Sequence, residues 1–169
     1  ELPLGTTFRE LIYNHGGGIL NGNAIKAIMP AGASSCLIPA NDKALDTPMD
    51  YESVMNLGCP LGSASVIIVD ESYSAADLVA KTTNFFKHES CGKCTPCREG
   101  TYWMDKLAQK ITAGKASMDD VELLKRVARQ MQNKCLCALG EFSTMSVVSS
   151  VERFIEDYEA LVKQPDSQP

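Results

Sequence analysis

Between residues 89 and 100 the chain reads Glu89-Ser90-Cys91-Gly92-Lys93-Cys94-Thr95-Pro96-Cys97-Arg98-Glu99-Gly100, and this cysteine triplet limits what the surrounding chain can become. Thiols at C-x2-C-x2-C spacing wrap one corner of a cubane iron–sulfur cluster. Each reaches a different iron, and the remaining iron is left for a cysteine elsewhere. Gly92 lets the backbone approach the inorganic sulfides. Pro96 fixes the turn and sets Cys97 at the start of the next helix, whose unpaired N–H groups and positive dipole end favour an anionic, thiolate-bound cluster. Zinc is the rival, because it too takes four thiolates. On that alternative the chain is a zinc-stabilised binding module without redox activity. Structural zinc sites pair two C-x2–4-C knuckles, however, so a serial triplet fits iron–sulfur better. A disulfide set fits least, since two-residue gaps suit metals or redox pairs.

Spacing alone leaves the fourth ligand open among Cys36, Cys59, Cys135 and Cys137. Cys59-Pro60-Leu61-Gly62 and Cys137-Ala138-Leu139-Gly140 share the pattern C-x-L-G. A ligand from the same half of the chain is simpler, which favours the Lys134–Gly140 stretch without separating Cys135 from Cys137. Cys36 and Cys59 read as small core residues. An odd cysteine count of 7, clustered and without a signal peptide, points to a reducing compartment and a metal. The start, Glu1-Leu2-Pro3-Leu4, has neither the basic nor the apolar region of a signal peptide.

The hydrophobic pattern divides the 169 residues in two. Residues 1–73 read as a mixed α/β unit. A helix capped by Thr6 or Thr7 ends at His15 and the run Gly16-Gly17-Gly18. Strands are expected at Ala24–Met29, at Cys36-Leu37-Ile38 and, most clearly, at Ser65–Asp70. That is a thin core for an independent domain, so an N-terminal strand is expected to be missing. Residues 74–162 read as four helices. Ser74 with Asp77 opens the first, which presents Leu78, Val79, Thr82, Phe85 and Phe86. The second carries Trp103, Met104, Leu107, Ala108 and Ile111 and stops near Gly114. Ser117 with Asp120 opens the third, with Val121, Leu124, Val127, Ala128 and Met131 along its stripe. The fourth runs from about Ser143 through Val147, Val148, Val151, Phe154, Ile155, Tyr158 and Leu161. Residues 163–169 read as a disordered tail.

The net charge is −5, with 8 acidic and 3 basic side chains in residues 1–73 and 13 of each afterwards. No strongly basic face is present, so nucleic-acid binding is not expected. No apolar run approaches the roughly 20 residues of a transmembrane helix. Gly16-Gly17-Gly18 lacks the G-K-[ST] of a P-loop and is not a G-x-G-x-x-G fingerprint, so tight binding of NADH or FMN by this chain alone is not expected. His15 and His88 read as helix-end residues. Lys125, Arg126, Arg129 and Lys134 form a basic stretch that faces solvent, shields cluster charge or meets an acidic partner.

The stretch Glu89–Gly100, followed by Cys137-Ala138-Leu139-Gly140 ahead of a helix, resembles the NADH-binding flavoprotein subunit of respiratory complex I. The same pattern occurs in the diaphorase subunits of NAD-reducing hydrogenases and formate dehydrogenases. Leu4–Ile12 and Ile28-Met29-Pro30-Ala31-Gly32-Ala33-Ser34-Ser35 resemble the ubiquitin-like β-grasp (SLBB) domain of that family, although Pro30-Ala31-Gly32 and Cys59-Pro60 depart from its Gly-rich loops. The resemblance spans about residues 4–162. It implies an α+β chain: a partial β-grasp domain followed by a four-helix bundle carrying a [4Fe–4S] cluster. It also implies Cys91, Cys94, Cys97 and Cys137 as ligands, with Cys135 an extra thiol. The family oxidises NADH at FMN and passes the electrons to this cluster. The implied partners are the FMN/NADH domain of the parent protein, which is absent from this chain, a thioredoxin-like [2Fe–2S] subunit and further iron–sulfur subunits. The implied location is cytoplasmic, peripheral to the inner membrane through the complex and without direct insertion.

Overall fold

The computed structural model describes residues 1–162; the stretch 163–169, read above as a disordered tail, lies outside them. The fold is α+β, and it separates into two compact units, Glu1–Tyr73 and one beginning at Ser74.

The first unit is organised by a three-stranded antiparallel sheet of order β2-β1-β3, with β1 at Ile25–Met29, β2 at Ile38–Pro39 and β3 at Ile67–Asp70. Ile28 stands opposite Ile38 on one side and Ile68 on the other. The register slips between Ile25 and Ala27, so Lys26 forms a bulge. Pro39 is tolerated because β2 is an edge strand. Ahead of the sheet, Thr7 and Glu10 bond reciprocally, each side chain accepting the other's backbone N–H at 3.1 and 2.9 Å. They launch a helix whose Glu10–His15 segment is wound as a π-helix. Two short helices escape the sequence pattern: α1 at Asp42–Leu45, capped by Asn41, and α2 at Tyr51–Met55, capped by Asp50. Their caps are legible, but four and five residues are too few to show a period. Phe8, Ile12, Ile28, Leu45, Val54 and Leu61 form the core. Cys36 and Cys59 are buried here, with the Cys36 N–H 3.1 Å from the Cys59 sulfur.

The second unit contains α3 (Ala75–Glu89), α4 (Thr95–Thr112), α5 (Met118–Met131), α6 (Ala138–Arg153) and α7 (Ile155–Val162). The fourth expected helix therefore starts five residues earlier than Ser143 and breaks at Phe154, whose φ of −140° and ψ of 43° leave the helical region. Helix α3 packs on α4 and α6, and α5 bridges α4 and α6. Val79, Met104, Ile111, Val121, Leu124, Val147, Val151 and Tyr158 make the shared core; each such side chain contributes about 1.5–3 kcal/mol on full burial. Spacing alone puts Trp103 and Phe85 on core stripes, yet they are 54% and 48% exposed. Helix α6 compensates by burying Ser143, Thr144, Ser146, Ser149 and Ser150. Their hydroxyls are all satisfied, for example Ser146 by Thr82 at 3.0 Å and Ser150 by Tyr158 at 2.8 Å.

The capping of α3 also differs from expectation. The Ser74 hydroxyl accepts the Ala76 N–H at 3.2 Å, and Asp157 of α7 accepts the Ala75 N–H at 2.5 Å. The Ser117–Asp120 box on α5 forms as its spacing suggests. Beneath the surface, Asp105 is wholly buried and accepts from Lys87 at 2.8 Å, Gln109 at 2.8 Å and Asn84 at 3.2 Å. Burial pushes its pKa up, but these donors outweigh that and hold it below the usual carboxylate range.

Candidate metal centre

Helix α3 ends at Glu89, and the chain turns through Gly92, whose φ of +73° suits glycine, before α4 begins. Cys94 is the N-cap of α4, Pro96 lies in its first turn, and Cys97 follows within the helix. The loop is tied down from both sides. The Arg98 guanidinium donates to the Gly92 carbonyl at 2.9 Å, and the Gly92 N–H donates to the Ser90 hydroxyl at 3.3 Å. The Ser90 oxygen lies 3.3 Å from the Cys97 sulfur, and Thr101 donates to the Cys97 carbonyl at 2.8 Å.

The opposite wall is the α5–α6 connection. Asn133 takes a left-handed φ of 59°, its N–H bonded to the Glu141 carboxylate. Cys137 is then the N-cap of α6. Cys137 makes no side-chain capping bond, so the first turn of α6 keeps its amides available to an acceptor, whereas in α4 Pro96 has no N–H and the Cys97 N–H serves the Cys94 sulfur.

Cys97 is buried, Cys94 and Cys135 are half-buried, and Cys91 and Cys137 are exposed. Burial pushes the Cys97 thiol up, Ser90 pulls it down, and negative charge on Cys94, Cys137 or Cys91 pushes it up again. For Cys94 the Leu136 N–H dominates and holds the thiol low; partial burial opposes it, and the Cys97 N–H and the Cys135 side chain assist. Among the described residues, no group of three or more His, Cys, Asp or Glu side chains is placed to hold a single metal ion. Cys36 and Cys59 are buried within the first unit.

Spacing does not decide the role of Cys135. In the structure its sulfur faces the Met131 carbonyl at 3.5 Å, and burial pushes its pKa up to about 11. It packs so tightly on Gly140 that a Cβ there would lie 2.3 Å from its sulfur and 2.5 Å from its Cβ. The Gly140→Ala chain is therefore expected to lose about 1–3 kcal/mol of stability by overpacking. Adding Cys135→Gly removes both contacts and is expected to recover most of the loss. Denaturant midpoints of the single and double variants check this, and an unchanged midpoint for Gly140→Ala would refute it.

Comparison with known proteins adds the family. The profile described as the NADH-ubiquinone oxidoreductase-F iron-sulfur binding region matches residues 77–161. The F subunit of the NADH-quinone oxidoreductase of Mycobacterium tuberculosis strain H37Rv is 41% identical over 163 residues, covering 96% of this chain and 36% of that protein. Its Streptomyces coelicolor counterpart is 42% identical over 159 residues, covering 94% of this chain and 35% of its own length. The chain thus spans little more than a third of the curated relatives it matches. Among solved structures, a chain of an NAD+-reducing [NiFe]-hydrogenase in the H2-reduced state superposes with a TM-score of 0.83 at 28% identity, covering 98% of this chain and 27% of that one. With two cysteine-bearing helix N-termini facing one loop inside the matched region, the chain belongs to the NADH-ubiquinone oxidoreductase-F iron–sulfur binding family.

Proposed function

We propose that this chain is the electron-relay part of an NADH-oxidising flavoprotein, and that Cys91, Cys94, Cys97 and Cys137 hold the family's [4Fe–4S] cluster on the path from FMN. The observation that carries the reading is that Cys94 and Cys137 stand at the N-termini of α4 and α6, with Cys97 in the first turn of α4 packed beside Gly140 at the start of α6. The donor set fits the group: soft thiolates suit iron–sulfur, and the uncapped amides at the start of α6 favour its negative charge. A single zinc ion draws four sulfurs to one point at about 2.3 Å each, whereas the ligands of a cubane bond different irons. Thiols spread over a loop and two helix starts suit the second demand.

When bound, such a cluster supplies one-electron oxidation–reduction beside a flavin that handles electron pairs. The chain's own residues do the rest. Arg98, Ser90 and Thr101 fix the loop that presents Cys91, Cys94 and Cys97. The Leu136 N–H favours the thiolate form of Cys94. The hydride chemistry belongs to the parent protein's FMN/NADH domain, and the parent complex is an NADH dehydrogenase or the diaphorase of a hydrogenase or formate dehydrogenase. Its partners on this reading are a thioredoxin-like [2Fe–2S] subunit and further iron–sulfur subunits. The first unit is read as a partial β-grasp (SLBB) domain and the second as a four-helix bundle with α7 continuing its last helix. No helix of the described residues is long and apolar enough to cross a membrane. A cytoplasmic site, peripheral through the complex, is the location this reading favours.

The test is spectroscopic. The chain isolated without oxygen is expected to absorb broadly in the visible, to be bleached by dithionite and to give a reduced-state EPR signal. Serine at any one of Cys91, Cys94 or Cys97 is expected to cut iron content and that signal together. A colourless chain containing zinc would sink the reading.

A further inference from the structure

Helices α4 and α5 leave an apolar groove between them that opens beside the cysteine loop. It holds about 400 Å³ and is lined by Thr95, Pro96, Gly100, Trp103, Val127 and Met131, among others. Gly100 lets Met131 of α5 pack directly on α4 beneath it, because a Cβ there would stand 2.2 Å from the Met131 sulfur. Trp103 sits on its wall more than half exposed, on the helix that packs the core with Met104, Leu107 and Ile111. A large aromatic in that state is a characteristic anchor for a partner.

The rim is cationic. Gln130 and Lys134 belong both to this groove and to an adjoining depression edged by Lys125, Arg126 and Arg129. Lys125 is paired with Glu122 at 3.0 Å, Arg129 with Glu152, and the groove's one carboxylate, Glu99, with Arg98 at 2.9 Å. Arg126 and Lys134, both exposed, make no ion pair among the described residues. Two unpaired cations beside an aromatic floor are too few for a nucleic-acid backbone on a chain of net charge −5. They do match a short acidic segment that carries one large apolar side chain. Thr95 and Pro96 lie between Cys94 and Cys97, so whatever docks here sits against the loop that presents the thiols.

We propose that this groove docks an acidic segment of an electron-accepting partner protein, with an apolar side chain over Trp103 and Val127 and carboxylates on Arg126 and Lys134. The partner's redox role rests on the relay reading above, whereas the groove and its charges do not.

The experiment uses the full chain, isolated without oxygen, and a short synthetic peptide of Glu and Gly with one central Phe, labelled for anisotropy. Trp103 is the only tryptophan in the chain, so its emission reports whether the unlabelled peptide binds at the groove. Saturable binding is expected, with a shift in that emission and weakening as salt is raised. Arg126→Glu together with Lys134→Glu is expected to weaken binding about tenfold or more, and Trp103→Ala by about tenfold. The same peptide with Lys for Glu is expected not to bind. Failure of the acidic peptide to bind overturns the proposal, as does equal binding of the Lys peptide or indifference to both variants. A concentration-dependent dimer lost in Trp103→Ala also overturns it and assigns the groove to a second copy of the chain. Iron content is read on the same samples. A chain that binds the peptide but assembles no cluster sinks the relay reading and leaves the docking surface standing.

Discussion

Replacing Cys137 with alanine is expected to abolish the cubane or leave a three-iron form, while Cys135→Ala is expected to keep the cubane. The two thiols are two residues apart in one connection, and the structure treats them differently. Cys137 is exposed and stands at the N-cap of α6 without a capping bond, so a ligand there meets the positive end of a 16-residue helix. Cys135 points back at the Met131 carbonyl in the last turn of α5, where the dipole end is negative and disfavours an anionic group. It lies beside Cys94, but it is wedged against Gly140 and burial pushes its pKa up to about 11, which disfavours the thiolate a ligand must supply. Iron analysis and the reduced-state EPR signal of the two variants decide the matter. If Cys135→Ala loses iron and Cys137→Ala does not, the fourth ligand is misassigned.

Asp105→Ala is expected to destabilise the helical unit by about 2–4 kcal/mol, near the lower end for breaking a buried ion pair because Lys87 remains partly in water. The change strands three donors at once: the Lys87 ammonium and the Asn84 and Gln109 amides. A loss of that size lowers the melting temperature by roughly 10 °C or more in a domain of this size. Asp105→Asn, which keeps the volume, is expected to fall between the two. The pH dependence has a definite sign. The folded carboxyl is held below its ordinary range, so the unfolded chain takes up the proton first. The contribution is complete above the ordinary carboxylate pKa of about 4 and is lost as pH falls below it. The gap in stability between wild type and Asp105→Asn is expected to be smaller near pH 3 than at neutral pH in denaturation curves. A constant gap between them would show that the Asp105 charge is not what matters.

The cysteine run and the caps are legible in the sequence because their spacing is itself the physical requirement. Ser117 with Asp120 can be read directly, whereas the box expected from Ser74 and Asp77 does not form. The stripes on α3 and α4 read correctly where they bury Val79, Phe86, Met104 and Ile111, and wrongly at Phe85 and Trp103. Helical period alone cannot tell an inward flank from an outward one when both are aromatic. The serines and threonines of α6 escape such a reading because hydropathy treats them as surface residues, although one hydroxyl partner each is enough to bury them. Asp105 escapes it too: its donors come from α3 as well as α4, and no local pattern announces a pairing across helices. The choice between Cys135 and Cys137 turns on which helix end each thiol faces, which depends on the fold.

The Asp157 carboxylate that completes the start of α3 lies 82 residues beyond the amide it accepts. During synthesis, therefore, the opening turn of this unit emerges long before the group that satisfies it. At ordinary translation speeds the interval is on the order of 4–16 s. Until then the first helix has only Ser74 to hold its end, and the core it shares with α7 through Tyr158 is open. The closing contact joins the two ends of the unit's sequence, so it is among the most non-local contacts of this helical unit, the kind that slows folding. A ribosome-bound chain that stops short of Asp157 holds every cysteine of the centre and still lacks the contact that locks the bundle around them.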